Sequence, residues 1–392
     1  MTRALNVGII VADPNLRHTI VDCLNHLKVR IAFAVSPTGA DTSAPEYSNP
    51  EVLVLDFGHR SAFEIMTTLK TMPSPPPVIA AHVSADPDVI LAAVRAGARE
   101  FVSPPISSQT FQGALDKIAS ERLLQAPANR AGKTIGLLSA QGGCGATLVA
   151  CHLAAELRRI TTASVLAADF DPTSGMLGFW LRANPSRSVL DVAKSLTRMD
   201  LSLWKGMVHT VQPRLDALTA PADIPLGELP SSHSFSTVLR FGRANYDWVV
   251  ADLGQGLSPL SMAMIPELDT LYVVTTPEVA ALYQARRAIQ KLVSSQLTAE
   301  PPRMVVNRVR VEHAPDTKDM ERLLSGPVEA YLPEDYDAVV DAHSEGRLVS
   351  PGSDLGRRLA QLAFKVSGQP APERRESRFS LFRQFRARAA EL

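Results

Sequence analysis

The segment that most constrains the fold is an apolar strand pattern that runs through a glycine-rich loop directly into a helix pattern. It reads Thr134-Ile-Gly-Leu-Leu-Ser-Ala-Gln-Gly-Gly-Cys-Gly-Ala-Thr-Leu-Val-Ala-Cys-His-Leu-Ala154. Glycines let the backbone wrap closely around an anion, with successive N–H groups pointing inward. The helix that follows directs the positive end of its dipole to the same place. The segment therefore predicts either a phosphate site or a tight strand-to-helix turn without a ligand.

Short apolar runs alternate with helical patterns along the chain, which predicts parallel sheets covered by helices on both faces. The fold class expected is α/β, with two doubly wound parallel-sheet domains. Several runs are continuous and β-branched, as buried parallel strands are. The strand candidates are Asn6–Ala12, Val52–Asp56, Pro77–His82, Glu100–Val102, Thr134–Ser139, Ser164–Asp169, Arg214–Thr219, Trp248–Asp252, Thr270–Thr275 and Arg303–Val306. The helix candidates include Asn15–His26, Pro87–Ala96, Ser108–Leu124, Thr147–Arg159, Val279–Val293 and Asp354–Val366.

Composition excludes several classes of protein. Among 392 residues, 40 are Lys or Arg and 40 are Asp or Glu, so a globally basic nucleic-acid binder is not indicated. A hydrophobic content of 45% excludes wholesale disorder. The 3 cysteines lack both metal-ligand spacing and a disulfide pattern, which favours a reducing compartment. No apolar run approaches the roughly 20 residues that span a bilayer, so a cytoplasmic location is expected.

The chain divides at changes in pattern. A stretch with Pro, Asn and Gly after a helix pattern, just before a fresh strand, marks a linker at 123–133. We therefore expect one small domain at 1–122 and a larger one at 134–368. The remaining residues, 369–392, form a tail rich in Arg and Phe.

Acidic residues follow two strands of the larger predicted domain. Asp169 and Asp171 come after one strand, and Asp252 ends another. Ligands of doubly wound sheets bind beyond the carboxyl ends of the strands. Together with the hydroxyl of Thr147, these acids predict a site for Mg²⁺ and phosphate, although any one of them is more often a turn or helix-cap residue.

These segments resemble the MinD/ParA superfamily of deviant Walker P-loop ATPases. Gln141–Thr147 falls on the family's Lys-Gly-Gly-x-Gly-Lys-Thr loop, and Asp169–Pro172 on its Asp-x-Asp-Pro segment. Tyr246–Asp252 matches its Walker B strand, and Val305–Arg308 its Asn-Arg element. The resemblance spans about 133–368.

The resemblance implies ATP and Mg²⁺ as cofactors, held by residues at matching positions. The implied nucleotide-binding residues are Gly142, Gly143, Cys144, Gly145, Ala146, Thr147, Leu148, Asn307 and Arg308. The implied metal ligands are Thr147, Asp169 and Asp252. Asp171 falls on the residue that positions the attacking water, and no other catalytic residue is assigned.

Both lysines of the family loop are absent. Gln141 stands at the signature lysine, which reaches across the dimer, and Ala146 at the P-loop lysine. Phosphoryl transfer depends heavily on such charge stabilisation. We therefore expect weak nucleotide binding and no efficient ATP hydrolysis.

The first domain resembles a response-regulator receiver with a depleted acyl-phosphate site. Asp56 ends the strand that carries the phosphoacceptor, Asp13 is the remaining acid of the usual pair, and Ser84 matches the switch hydroxyl. Ala12 replaces the second acid, and Pro104 the lysine that stabilises the acyl phosphate. Asp56 is expected to be a structural or vestigial acid, with phosphorylation as the alternative.

A degenerate receiver joined to a lysine-poor MinD/ParA-like domain is the arrangement of the CpaE/TadZ proteins of Tad (Flp) type IV pilus systems. That resemblance implies a homodimeric localisation factor at a cell pole or the inner membrane, with the secretion ATPase and the inner-membrane platform as partners. Two alternatives remain open. One is an active MinD/ParA-like ATPase that cycles on a surface, and the other is a phosphorylation-gated response regulator.

The tail mixes arginines with phenylalanines. Phe379, Phe382 and Phe385 lie at spacings of three, so on a helix they would stay near one face. Such a segment suits contact with an anionic membrane or a partner's groove. A solvated tail without structure is the alternative.

Overall fold

The N-terminal unit is a parallel sheet of five strands. The computed structural model describes residues 6–37, 50–72, 75–125, 132–183, 187–298, 300–310, 316–345 and 347–371. The sheet has the order β2-β1-β3-β4-β5, the flavodoxin-like arrangement. Its strands are β1 (Asn6–Ile10), β2 (Arg30–Val35), β3 (Val52–Asp56), β4 (Val78–Ala81) and β5 (Glu100–Val102).

Four helices of this unit cover both faces of the sheet. They are α1 (Pro14–His26), α2 (Ser61–Lys70), α3 (Pro87–Ala96) and α4 (Ser108–Gln125). The buried side chains of α1 and α4 share one hydrophobic cluster, and those of α2 and α3 share another. The sequence sets the helix ends: Asp13 accepts the backbone N–H of Leu16 at the start of α1, and Gly97, with φ of 104°, ends α3.

The C-terminal unit is an eight-stranded sheet with the order β13-β12-β11-β6-β10-β7-β9-β8. Its strands are β6 (Lys133–Ser139), β7 (Val165–Asp169), β8 (His209–Gln212), β9 (Leu215–Leu218), β10 (Trp248–Gln255), β11 (Thr270–Thr275), β12 (Arg303–Val309) and β13 (Val328–Pro333). The pairs from β13 through β9 are parallel, whereas β8 pairs antiparallel with β9.

Helices cover both faces of this sheet as well. They are α5 (Ala146–Thr161), α6 (Leu177–Trp180), α7 (Val189–Ala193), α8 (Leu201–Met207), α9 (Ser232–Asn245), α10 (Pro259–Met264), α11 (Val279–Ser295), α12 (Thr317–Leu324), α13 (Tyr336–Ser344) and α14 (Asp354–Ser367). Short 3₁₀ turns lie at Leu196–Arg198 and Ile265–Glu267. The side chains of α5 and α14 belong to one hydrophobic cluster, and those of α7, α8 and α9 to the cluster on the other face.

The two units contact each other through α4 and α9. Asp116 on α4 is fully buried, and its carboxylate accepts hydrogen bonds from Ser234 Oγ at 2.7 Å and from Gln112 Nε2 at 2.7 Å. Burial raises the pKa of Asp116 to about 6, although both hydrogen bonds favour the ionised form. The interface therefore holds a buried acid that bridges the two units.

The predicted fold class is confirmed, and all ten strand candidates coincide with strands of the structure. The list of strand candidates was incomplete, because it lacks β2, β8 and β13. Each of these three lies at the edge of its sheet, and β2 and β8 alternate between half-buried and exposed residues. One edge of the large sheet departs from the parallel arrangement, because the short β8–β9 connection allows only an antiparallel pair.

Candidate functional site

The glycine loop joins β6 to α5 at the centre of the large sheet. Gly143 and Gly145 have φ angles of 84° and 90°, in the left-handed region that favours glycine. A Cβ on Gly145 would lie 2.4 Å from Asn307 Nδ2. That nitrogen donates a hydrogen bond to the Cys144 carbonyl at 2.9 Å. The loop is therefore fixed from β12, the strand that carries Asn307.

The loop leads into a helix whose first turn lacks a side-chain cap. Gly145 occupies the N-cap position of α5, so no side chain accepts the N–H groups of the first turn. Free N–H groups and the dipole of a 16-residue helix attract an anion to this end. The predicted cradle for phosphate is thus present in the backbone.

Two buried acids lie next to each other beside the cradle. β10 lies between β6 and β7, and Asp252 on β10 pairs in register with Asp169 on β7. Asp252 accepts the N–H of Gly254 at 3.1 Å, and the nearby Thr147 hydroxyl stabilises its ionised form. Asp169 accepts the N–H groups of Asp171 at 3.1 Å and Leu177 at 3.0 Å. Thr147 and Asp252 therefore lie close together, whereas Asp169 is engaged by the backbone around α6.

Burial raises the pKa of both acids, and neighbouring carboxylates add to the rise. Removal from water raises the pKa of Asp169 to about 8, and the charge of Asp252 adds to the rise. Burial also raises the pKa of Asp252, against the stabilising effect of the Thr147 hydroxyl. Two carboxylates that disfavour each other's ionisation bind a divalent cation favourably, because the cation removes the repulsion.

A cavity of about 470 Å³ opens over the loop, within the range of small-ligand sites. Its lining comes from the loop, the strand ends and α13. The lining residues are Ser139, Gly142, Gly143, Gly145, Ala146, Thr147, Leu148, Asp171, Ser174, Met176, Trp180, Asp252, Gly254, Gln255, Asn307, Arg308, Pro333, Glu334, Asp335, Tyr336, Val339 and Leu355.

The structure thus places most of the predicted nucleotide-binding residues around one cavity. Cys144 is the exception, because its side chain is buried and its carbonyl serves the loop. Asp171 lines the cavity, and its Oδ1 accepts the N–H groups of Thr173 and Ser174 at 3.1 and 2.9 Å. Asp169 lies behind the lining, next to Asp252.

Positive charge is scarce in this cavity. Among its described lining residues, Arg308 is the one cation, against four acids. One of these acids, Glu334, is paired with Arg310 at 2.6 Å. Gln141 is exposed, and the Ala146 methyl is buried where the P-loop lysine of the family would begin. The site keeps the backbone of a phosphate cradle without its lysines.

The fit of Mg²⁺ and a nucleotide can be judged from the residues present. The cradle has the required N–H groups, and the Thr147–Asp252 pair supplies hydroxyl and carboxylate oxygens, which Mg²⁺ prefers. Within the described residues, no group of three or more acidic, His or Cys side chains is arranged to hold a metal. The site therefore fits a metal that keeps several waters and shares phosphate oxygens.

The second candidate site lies at the end of β3. Asp56 is buried, and its carboxylate accepts the N–H of Gly58 at 2.8 Å and that of Ala12 at 3.1 Å. His82 Nδ1 lies 3.8 Å from Asp56 Oδ1. Asp13 instead caps α1, and Ser84 is exposed. Asp56 is thus held by backbone groups, as a structural acid is.

Sequence reasoning missed several cavity residues. Trp180, Met176 and Tyr336 contribute apolar surface, and Gln255 meets the glycine loop. Gln255 follows Asp252 by three residues, so its place after the same strand was a usable signal. Trp180 and Met176 lie after Asp171 in an irregular stretch with no strand or helix pattern to place them.

The fold and the cradle define a P-loop nucleotide-binding domain: a doubly wound parallel sheet whose central strand enters a glycine loop and a helix. The sequence pattern of the CobQ/CobB/MinD/ParA nucleotide binding domain matches residues 135–349, more than half of the chain. The chain belongs to this family.

Individual relatives agree. The chain is similar to the septum site-determining protein MinD of Thermotoga maritima, with 23% identity over 249 residues, 62% of this chain and 90% of that protein. The crystal structure of a ParA family ATPase from Chlorobium tepidum superposes with a TM-score of 0.56 at 25% identity, covering 60% of this chain and 99% of that one. The structure of the MinC:MinD cell division protein complex of Aquifex aeolicus superposes with a TM-score of 0.51 at 20% identity. The match covers 63% of this chain and 100% of that one.

Two remaining predictions concern membranes. No helix in the described ranges is both long and apolar enough to cross a bilayer. The tail with Phe379, Phe382 and Phe385 lies outside the described residues.

Proposed function

We propose that this chain is a dimeric scaffold of the CpaE/TadZ type, which localises and organises a Tad (Flp) type IV pilus assembly machine and binds Mg-ATP without efficient hydrolysis. The observation that carries the proposal is the glycine cradle with Ala146 and Gln141 in place of both lysines. A cradle that keeps its N–H groups supports binding, and the missing cations remove transition-state stabilisation.

The N-terminal unit supports the same proposal. Its flavodoxin-like sheet carries a strand-end acid that backbone N–H groups already satisfy. A degenerate receiver of this kind serves docking rather than phosphoryl transfer. The proposed boundaries are 1–122 for this domain, 123–133 for the linker, 134–368 for the nucleotide-binding domain and 369–392 for the tail.

The proposed partners are a second copy of this chain, the secretion ATPase and the inner-membrane platform of the pilus. The Aquifex aeolicus relative is described as a complex with MinC, which supports a role in partner binding. The proposed location is the cytoplasm, at a cell pole or the inner membrane, with the tail on anionic lipid.

Two measurements test the nucleotide part. Calorimetric titration with ATP and Mg²⁺ should give measurable affinity, and steady-state phosphate release should stay near background. Ala146→Lys should raise the affinity at least about tenfold, because a lysine there would add a charge-assisted contact. Absence of binding in both proteins would contradict a nucleotide site.

Imaging tests the localisation part. A tagged copy should form polar foci that depend on the pilus genes. Diffuse signal with and without those genes would contradict a localisation role.

An active MinD/ParA-like ATPase that cycles on a surface is the second candidate. It is favoured by Asp171, which lines the cavity as a water-positioning residue would. Phosphate release well above background, lost in Asp171→Ala, would establish it. The phosphorylation-gated response regulator is the third candidate, and acyl-phosphate labelling that Asp56→Ala abolishes would support it.

A further inference from the structure

Gln255 sits where the end of β10 meets the glycine loop. Its backbone pairs in register with Ser139, the last residue of β6. The next residue, Gly256, donates its N–H to the Ser139 carbonyl at 2.8 Å. The position of Gln255 is therefore tied to the strand that carries the loop.

The side chain of Gln255 reaches the loop itself. Its Oε1 lies 2.8 Å from the point that a Cβ on Gly142 would occupy. Gln255 is exposed, and within the described part of the chain no protein group occupies its carboxamide, which is open to solvent. Gln255, like Asp171 and Ser174, lines both the main cavity and a second one of about 480 Å³. An unpaired amide thus stands at the mouth of the cradle.

The chemistry of an amide suits the charges around it. A carboxamide offers two N–H donors without a charge. The nearby Asp171 and Asp252 repel a phosphate, and Arg308 is the one cation among the described lining residues. A neutral donor at this point lowers the cost of placing phosphate oxygens beside the acids.

We propose that Gln255 is a phosphate-binding residue, which donates a hydrogen bond to the phosphate chain of the bound nucleotide in a site that lacks lysine. This inference rests on the proposed nucleotide binding. Phosphate binding would then involve a residue outside the glycine loop. The affinity for the nucleotide's phosphates would therefore depend on strand β10.

The test compares Gln255→Leu with wild type in calorimetric titrations with Mg-ATP and with adenosine. Leucine has a similar size and no donor, so the affinity for Mg-ATP should fall about tenfold to a hundredfold, the range of a hydrogen bond to a charged group. The affinity for adenosine, which has no phosphate, should stay the same. Gln290→Leu on the exposed face of α11 is the matched control and should change neither affinity.

Unchanged Mg-ATP affinity in Gln255→Leu would overturn the inference and leave the proposed nucleotide binding intact. An equal loss for adenosine would also overturn it, because the residue would then act on the shape of the cavity. If wild type binds neither Mg-ATP nor adenosine, this inference falls together with the proposed nucleotide binding.

Discussion

His152 is a buried histidine that joins helix α5 to the segment before α14 in the large unit. Its Nδ1–H donates to the Leu148 carbonyl at 2.7 Å, and its Nε2 accepts the N–H of Val349 at 2.8 Å. The ring therefore bridges α5 to the segment that precedes α14. Only the neutral imidazole can make both hydrogen bonds, since a protonated ring has no acceptor.

This arrangement predicts a loss of stability in mild acid. Burial lowers the pKa of His152 from 6.5 to about 4, so the unfolded chain takes up the proton first as the pH falls. The contribution of His152 to the free energy of unfolding is therefore fully present above pH 6.5. It is lost as the pH falls from 6.5 to 4, by about 3 kcal/mol in all. Urea unfolding across this range should show a shallower pH dependence in His152→Gln than in wild type.

The exposed Gln290 on α11, which does not titrate, provides the control for this prediction. Gln290→Leu should keep the wild-type pH dependence. An unchanged slope in His152→Gln would show that the buried ring does not govern the acid response.

The candidate site was predictable from sequence at the residues that sit in patterned elements. Gly142 and Gly145 lie in the loop between β6 and α5, Thr147 lies in the first turn of α5, and Asp252 lies near the end of β10, so their positions follow from the topology. His152 gave no signal, because a lone histidine within an apolar helix carries no information about its partners. The partner at Val349 is 197 positions away.

At the scale of elements, the glycine loop is held by a contact from another strand. Asn307 on β12 reaches the Cys144 carbonyl, and the space for its amide exists because Gly145 has no side chain. Gly143 has a similar backbone conformation, with no described atom within 4 Å of its would-be Cβ. A side chain at Gly143 would therefore cause backbone strain alone, whereas one at Gly145 would cause both backbone strain and a steric clash.

We predict different costs for the same substitution at these two positions. Gly143→Ala should lower the free energy of unfolding by about 1 kcal/mol, from backbone strain alone. Gly145→Ala should cost about 2–4 kcal/mol, because the methyl group also displaces Asn307. Chemical denaturation of both variants measures the difference, and equal costs would show that Asn307 moves aside freely.

The elements that the sequence failed to predict share one physical property. β2, β8 and β13 have one neighbouring strand each, so they need no continuous apolar run, although β5 is also an edge strand and was predicted. β3, between two neighbours and covered on both faces, is buried at all 5 positions and was predicted to the residue. A strand buried on both faces requires a continuous apolar run that is visible in the sequence, whereas an edge strand requires less of one.

At the scale of the molecule, the α4–α9 contact joins the two sheets around a buried acid. Asp116 is surrounded by Ser234 and Gln112, and the charges that influence nearby His233 are Lys117 and Arg240. Because the pKa of Asp116 is raised, its ionised carboxylate lowers the free energy of unfolding at neutral pH.

Asp116→Asn should therefore stabilise the protein at pH 7.5 but not at pH 4. The stability that protonated Asp116 contributes to the folded state is fully present below its ordinary pKa of 3.8. It is lost as the pH rises through about 6. The expected gain is up to about 3 kcal/mol at pH 7.5, measured by urea unfolding. Asp337→Asn on the exposed side of α13 is the control, and a gain of equal size at both pH values would contradict the interpretation.

The α4–α9 contact has a consequence for assembly. The stretch 126–132 between Gln125 and Lys133 is short, and a short tether gives the two helices a local concentration in the millimolar range. For the α4 of a second copy to displace the chain's own α4 from α9, the second copy would have to reach a millimolar concentration. In the proposed dimer, pairing between copies is therefore expected to use surfaces other than this one.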